Sequence, residues 1–278
     1  YETKQAEQLL SLCASLIASQ APAKAYLEKK LFGISVLQQL VTQQWTDLPE
    51  PLRQRTTLYI VECCRSLCVS PEAPSYAVKS KLAVLFADMA RYMSTDPKPS
   101  GAGQAPAGEF DPKGPGNAIK TYVLPEITTW PGARGVEMAC LVLRWLPEGT
   151  TGTVVEALPA KRKRTLLKVL HAALPEIISF AYQALDKYYA ALRQAEGQDN
   201  GGGQAQAEEC KHIVEAALSL ALAYAEWAPM ALMHQSGIVN ACGILMRDKR
   251  FREAACDVLR QQSACKLKPL SLIHISEP

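Results

Sequence analysis

The residues best placed to do chemistry in this chain are four consecutive cations, Lys161-Arg162-Lys163-Arg164, followed one turn later by Lys168. On a helix Lys161, Arg164 and Lys168 fall at i, i+3 and i+7, so three charges line one stripe while Leu166, Leu170, Ala173 and Leu174 take the buried side. A ridge of this kind suits contact with phosphate or another anion. Cations in the first turn of a helix also oppose its macrodipole, at up to about 1 kcal/mol each when exposed, and an anionic partner would relieve that penalty. The same run also fits a solvated helix start or a chance match to a basic nuclear-localisation pattern.

Other charged groups are less concentrated. Arg247, Lys249, Arg250 and Arg252 are interleaved with Asp248 and Glu253 and read as ordinary solvated charge. Lys29 and Lys30, with Lys79 and Lys81, could face an acidic partner. Trp45, Trp130, Trp145 and Trp227 stand near helix ends, just before Pro or Asp turns, or a single residue further off. A base-stacking platform needs exposed aromatics among basic residues, so packing of the turns is the better reading of these four.

Signatures of catalysis do not occur. The chain has no G-x-S-x-G elbow, no glycine-rich phosphate loop followed by Lys and Ser/Thr, and no H-E-x-x-H. Its nine cysteines are odd in number and irregularly spaced, mostly on apolar helix faces, and read as reduced core residues of a cytosolic or nuclear protein. The histidines 171, 212, 234 and 274 form no ligand set, so neither metal nor cofactor is expected. A formal net charge of +3 is too small for a polycation that coats nucleic acid, and any anion recognition must be local. The apolar run from Ala216 to Ala225 is about half of a membrane span and is bracketed by Glu215 and Glu226, so no membrane insertion is expected. Tyr1 stands inside a helical pattern, and the chain reads as a fragment.

The elements that must position these groups are helices. Leu9, Leu12, Cys13, Leu16 and Ile17 recur at three and four residues, as do Leu27, Leu31, Ile34, Leu37, Leu40 and Val41. Further helices are predicted near 50–69, 75–94, 117–129, 133–146, 160–195, 205–227, 230–246 and 249–263, with Pro175 expected to break or kink the fifth. Antiparallel pairs recurring at about 40 to 50 residues match HEAT repeats, giving an all-α, ARM-like superhelical solenoid; a compact all-α globule is the alternative. Residues 95–116 and 197–204 are Gly-rich, the first also rich in Pro, and are expected to be disordered loops, while 270–278 lacks helical spacing and reads as a non-native tail.

Five motifs occur in order on these helices: Gln43-Gln44-Trp45-Thr46-Asp47-Leu48, Leu141 to Glu148 (LVLRWLPE), Arg162 to Ile177 (RKRTLLKVLHAALPEI), Ala223 to Pro229 (AYAEWAP) and Gly237 to Leu259 (GIVNACGILMRDKRFREAACDVL). Together they resemble the N-terminal part of the export receptors of the karyopherin-β (importin-β) family, over about 16–269 and most densely over 135–195 and 216–259. The resemblance implies partial N-terminal, Ran-binding repeats over 1–94 and exportin-like repeats over 117–269. It implies a receptor, not an enzyme, that binds Ran-GTP and cargo and shuttles between nucleus and cytoplasm past nucleoporins. Its cargo would be small structured RNA, such as microRNA or its precursor, and/or protein. Ran would meet the inner helices near 27–45 and 75–94, with Lys29, Lys30, Lys79 and Lys81 as candidates. RNA would meet Lys161, Arg162, Lys163, Arg164 and Lys168. An importin-type receptor, or a Ran-independent HEAT scaffold, would share the fold.

Overall fold

Helix α4 (Tyr76–Thr95) is apolar almost all round: Leu82, Ala83, Leu85, Phe86, Ala87, Met89 and Ala90 are each at most 1% exposed. A helix of that kind has to be enclosed by neighbours. Three surround it, α2 (Ala23–Gln44), α3 (Glu50–Val69) and α6 (Gly132–Trp145). The small side chains Ala83, Ala87 and Ala90 let them approach closely, and Phe86, fully buried, contributes about 2 kcal/mol of transfer free energy.

The computed structural model describes residues 2–18, 23–70, 74–95, 118–148, 160–197, 201–226 and 228–264. They divide into two units, residues 1–173 and 174–278. In the first, α1 (Glu2–Ala18) packs on α2, α3 on α4, and a π-helical turn (Ile119–Val123) leads into α5 (Leu124–Thr128), which packs on α6. Helices α2, α4 and α6 contact one another in sequence order, so three antiparallel pairs share one row. This is the paired-helix, HEAT-like all-α architecture that the periodicity predicts. It begins α7 (Ala160–Glu196), whose residues up to Ala173 belong to this unit.

Polar side chains fix the register of the row. Buried Asp88 on α4 accepts a hydrogen bond from Gln38 Nε2 on α2 (2.7 Å) and pairs with Arg91, whose Nη1 donates to the carbonyl of Trp145 at the end of α6 (2.9 Å). Tyr92 donates to the carbonyl of Thr42 (2.6 Å). Lys79 on α4 and Glu137 on α6 form an ion pair with side chains only 14% and 7% exposed. On the other row, Glu126 accepts from both Arg65 of α3 (2.6 Å) and the indole of Trp130 (2.9 Å), and Trp130 stacks edge-on against Phe86 at 5.5 Å. Gly135 permits that turn, because a Cβ there would lie 2.5 Å from the Trp130 carbonyl oxygen.

The second unit holds the rest of α7, then α8 (Gly201–Ala225), α9 (Met230–Gln235), α10 (Ile238–Leu245) and α11 (Arg252–Ala264), with α11 packed on α8 and α10. Phe251 is fully buried and meets Tyr189 of α7 edge-on at 6.1 Å. Gln262 donates to the Ala228 carbonyl (3.2 Å).

Local departures from the sequence reading have physical causes. The helix expected over 230–246 is two, broken at Gly237, whose φ of 88° only glycine adopts readily; any Cβ there would also meet the Tyr182 ring at 2.7 Å. Pro175 does not end α7. Proline removes a donor to the carbonyl of His171, and both residues are exposed, so the freed carbonyl lies on the solvent side. α8 begins at Gly201, inside the stretch expected to be a loose tether, and α4 reaches Thr95, the first residue of the expected insert. Residues 96–117, 198–200 and 265–278 lie outside the described residues.

The Lys79–Glu137 pair yields a direct test. Lys79→Met leaves a buried carboxylate unpaired and is expected to lower the unfolding free energy by about 3 kcal/mol, whereas Lys79→Met combined with Glu137→Met recovers most of it. Urea unfolding of the three proteins measures this, and an equally unstable double variant would contradict it.

Candidate anion-binding interface

The start of α7 sorts its cations by helical geometry. Leu166, Val169, Leu170 and Ala173 are fully buried and define the core-facing side. Arg162 lies in line with Leu166 and Val169 on that side and Lys163 borders it beside Leu170, both half-buried, whereas Arg164, Lys168 and His171 are exposed and share the opposite face. Lys161 falls on the same face by position; its side chain is not among those described. The five expected residues are therefore not one patch. Two are shoulders beside the core, and the ridge proper is Arg164, Lys168 and, missed by the sequence reading, His171.

Arg162 turns toward the end of α4. Burial and then the Asp88 carboxylate push the Tyr92 hydroxyl up from its usual range, and Arg162 lies near enough to oppose them. Arg164 and Lys168, by contrast, make no ion pair or hydrogen bond among the described residues. On α6, Arg144 sits over the ring of Trp145, 5.1 Å from its centre, and both are half-buried. The Trp145 indole N–H has no protein acceptor among the described residues. Arg144 and Trp145 stand beside Arg91, which holds the Trp145 carbonyl.

The lysines considered for an acidic partner separate in the same way. Lys29 is exposed, Lys30 and Lys81 are half-exposed, and Lys79 is committed to Glu137. That commitment was invisible in the sequence because its partner is 58 residues away. Around Arg250 the charges also pair internally: it binds Asp248 (2.7 Å) and Glu196, and Arg252 donates to the Met246 carbonyl (3.0 Å). Arg250, first by its hydrogen bond, holds the Asp248 carboxyl below the usual range.

Trp45 and Trp130 are 2% and 4% exposed, as expected of residues that pack turns; Trp227 lies outside the described residues. No group of three or more potential metal ligands occurs among the described residues. By length and composition alone α7 could cross a membrane. Most of its large apolar residues, Leu167 excepted, nonetheless lie on a side packed inside protein, with Arg164, Lys168 and His171 opposite, as in an amphipathic core helix.

The described residues form an all-α fold of paired helices of the HEAT-like class, with a basic ridge on α7. Residues 121–259 match the family model of Exportin 1-like proteins, half of the chain. The chain belongs to that family. It is also 27% identical over 233 residues to Protein HASTY 1 of Arabidopsis thaliana, a match that covers 84% of this chain and 17% of that protein. The chain thus spans about a sixth of the relative's length, and both α7 and its ridge lie within the family match.

Seven of the cysteines, Cys13, Cys63, Cys64, Cys68, Cys140, Cys210 and Cys242, are buried free thiols, and Cys256 is exposed. Burial pushes Cys63 and Cys68 up to about 11 and Cys242 up to about 12, so they stay protonated and unreactive near neutrality. Of these eight, Cys256 alone is expected to react rapidly with a thiol reagent in the folded chain. Peptide mapping after a short alkylation pulse checks this; prompt labelling of Cys63 or Cys68 would refute it.

Proposed function

We propose that this chain is the cargo- and Ran-engaging part of a nuclear export receptor, which binds Ran-GTP together with small structured RNA and/or protein cargo. Membership of the Exportin 1-like family carries the reading. The receptor would shuttle between nucleus and cytoplasm by contacts with nucleoporins. RNA would be held through its phosphates and A-form shape, with strong salt dependence and little regard for sequence. Arg164 and Lys168, with Lys161, suit that task because no carboxylate among the described residues pairs with the first two. Arg162 and Lys163 would contribute field more than contact. Ran would meet the row of α2 and α4, where Lys29, Lys30 and Lys81 are the accessible candidates and Lys79 is not. Ran-GTP and cargo would bind cooperatively if each favours the same arrangement of stacked pairs, a coupling typically of about 1 to 3 kcal/mol.

The test measures binding of a short RNA duplex to the 278-residue chain, alone and with Ran carrying GTP or GDP, across a salt series. Duplex affinity should rise with Ran-GTP only. The variant Arg164→Glu/Lys168→Glu should bind roughly ten-fold more weakly, with a salt slope lower by about two. Cargo affinity that falls on adding Ran-GTP would mark an importin-type receptor, and indifference to nucleotide would mark a Ran-independent scaffold. A double variant with unchanged affinity and slope removes the ridge from the RNA site.

A further inference from the structure

We propose that Thr165 is a phosphorylation site for basophilic serine/threonine kinases, and that its phosphate closes the α7 ridge to RNA. The first half stands on local sequence and exposure; the second rests on the reading of the ridge given above.

Kinases of this class recognise an arginine three residues before the acceptor by pairing its guanidinium with carboxylates. Arginine precedes a hydroxyl residue by three at four places: Arg53 before Thr56, Arg91 before Ser94, Arg162 before Thr165 and Arg260 before Ser263. Tertiary structure separates them. Thr56 and Ser94 are 0% and 3% exposed. Thr56 follows Arg53-Gln54-Arg55, nearly the same spelling as Thr165, yet no kinase reaches it in the folded chain. Ser263 is exposed but follows two glutamines and a single arginine. Thr165 alone combines partial exposure with cations at each of the four preceding positions. It also lies near the start of its helix, where four cations weaken the first turn and favour local opening for a kinase.

In the reaction Thr165 Oγ1 bonds to the γ-phosphorus of ATP as the bond from that phosphorus to the β,γ-bridging oxygen breaks. ADP leaves, and the hydroxyl proton passes to the kinase's base. The product carries about −1.5 to −2 charges at neutral pH. Lys161, Arg162 and Lys168 occupy positions i−4, i−3 and i+3 from Thr165, the spacings at which helical side chains meet. The new phosphate therefore takes up Lys161 and Lys168, two of the three cations assigned to RNA, and its negative charge near the helix start compensates the macrodipole. The ridge exchanges an external anion for an internal one.

The experiment treats the 278-residue chain with ATP and the catalytic subunit of cyclic-AMP-dependent protein kinase, which reads arginine at this spacing. Phosphopeptide mapping is followed by duplex RNA binding across salt. Thr165 should be labelled ahead of Ser263, with Thr56 and Ser94 unlabelled. Treated protein should bind duplex roughly ten-fold more weakly, with a salt slope lower by about two, and phosphatase should restore both. Thr165→Ala should keep its RNA affinity through kinase treatment. Absence of label on Thr165 overturns the proposal, as does stoichiometric label with unchanged RNA affinity, or loss of affinity in treated Thr165→Ala. Should the untreated chain fail to bind duplex, the RNA reading of the ridge falls, while labelling still decides whether Thr165 is the acceptor.

Discussion

The first unit depends on the enclosure of α4. A helix with apolar residues on nearly all sides has no stable place except between neighbours, and α2, α3 and α6 provide it. Packing alone would leave its rotation and axial position loosely specified. Asp88 removes that freedom, because a buried carboxylate has to keep its hydrogen bonds, and only one register brings Gln38 of α2 to Asp88 while Arg91, its partner on the same helix, holds the Trp145 carbonyl of α6. Lys79 and Glu137 repeat the device closer to the start of α4. Whether such buried pairs add net stability depends on context; their clearer effect is to penalise every alternative register.

The same bonds decide which charges are left for partners. Lys79, Arg91, Arg65 and Arg250 each have a carboxylate from their own chain. Arg164 and Lys168 have none among the described residues, and they stand on a face of α7 opposite four fully buried apolar residues. A chain with an overall charge of only +3 can therefore still present a local cationic ridge, while Lys79, Arg91, Arg65 and Arg250 are paired internally.

Stacked helix pairs suit binding better than bond-making chemistry. Each pair touches its neighbours over broad apolar faces, so function falls to the residues that packing leaves outward. In this chain these include the α7 ridge, the exposed Lys29 and the half-exposed Lys30 and Lys81 of the α2 and α4 row. The match to Exportin 1-like proteins begins in the π-helical turn of the third pair and ends within α11. The relative from Arabidopsis thaliana is about six times longer than the matched stretch, so these pairs correspond to a small part of its length.

Much of this was legible in the chain. Periodicity at three and four residues located the long helices, because amphipathic spacing is a local property, and the ordered motifs pointed to the family that the comparison bears out. Local rules failed where local and tertiary demands compete. Pro175 was tolerated because its lost bond faces water, while Gly237 ended a helix because the chain needs a positive φ beside Tyr182. The run of cations was plain to read, but its division into shoulders and ridge was not. Lys79 and Lys168 look alike in sequence, as do Thr56 and Thr165. What distinguishes them is an acid 58 residues away in one case and burial among other helices in the other. Helix formation and lineage are encoded in near neighbours, whereas availability to a partner is set by contacts between residues far apart along the chain.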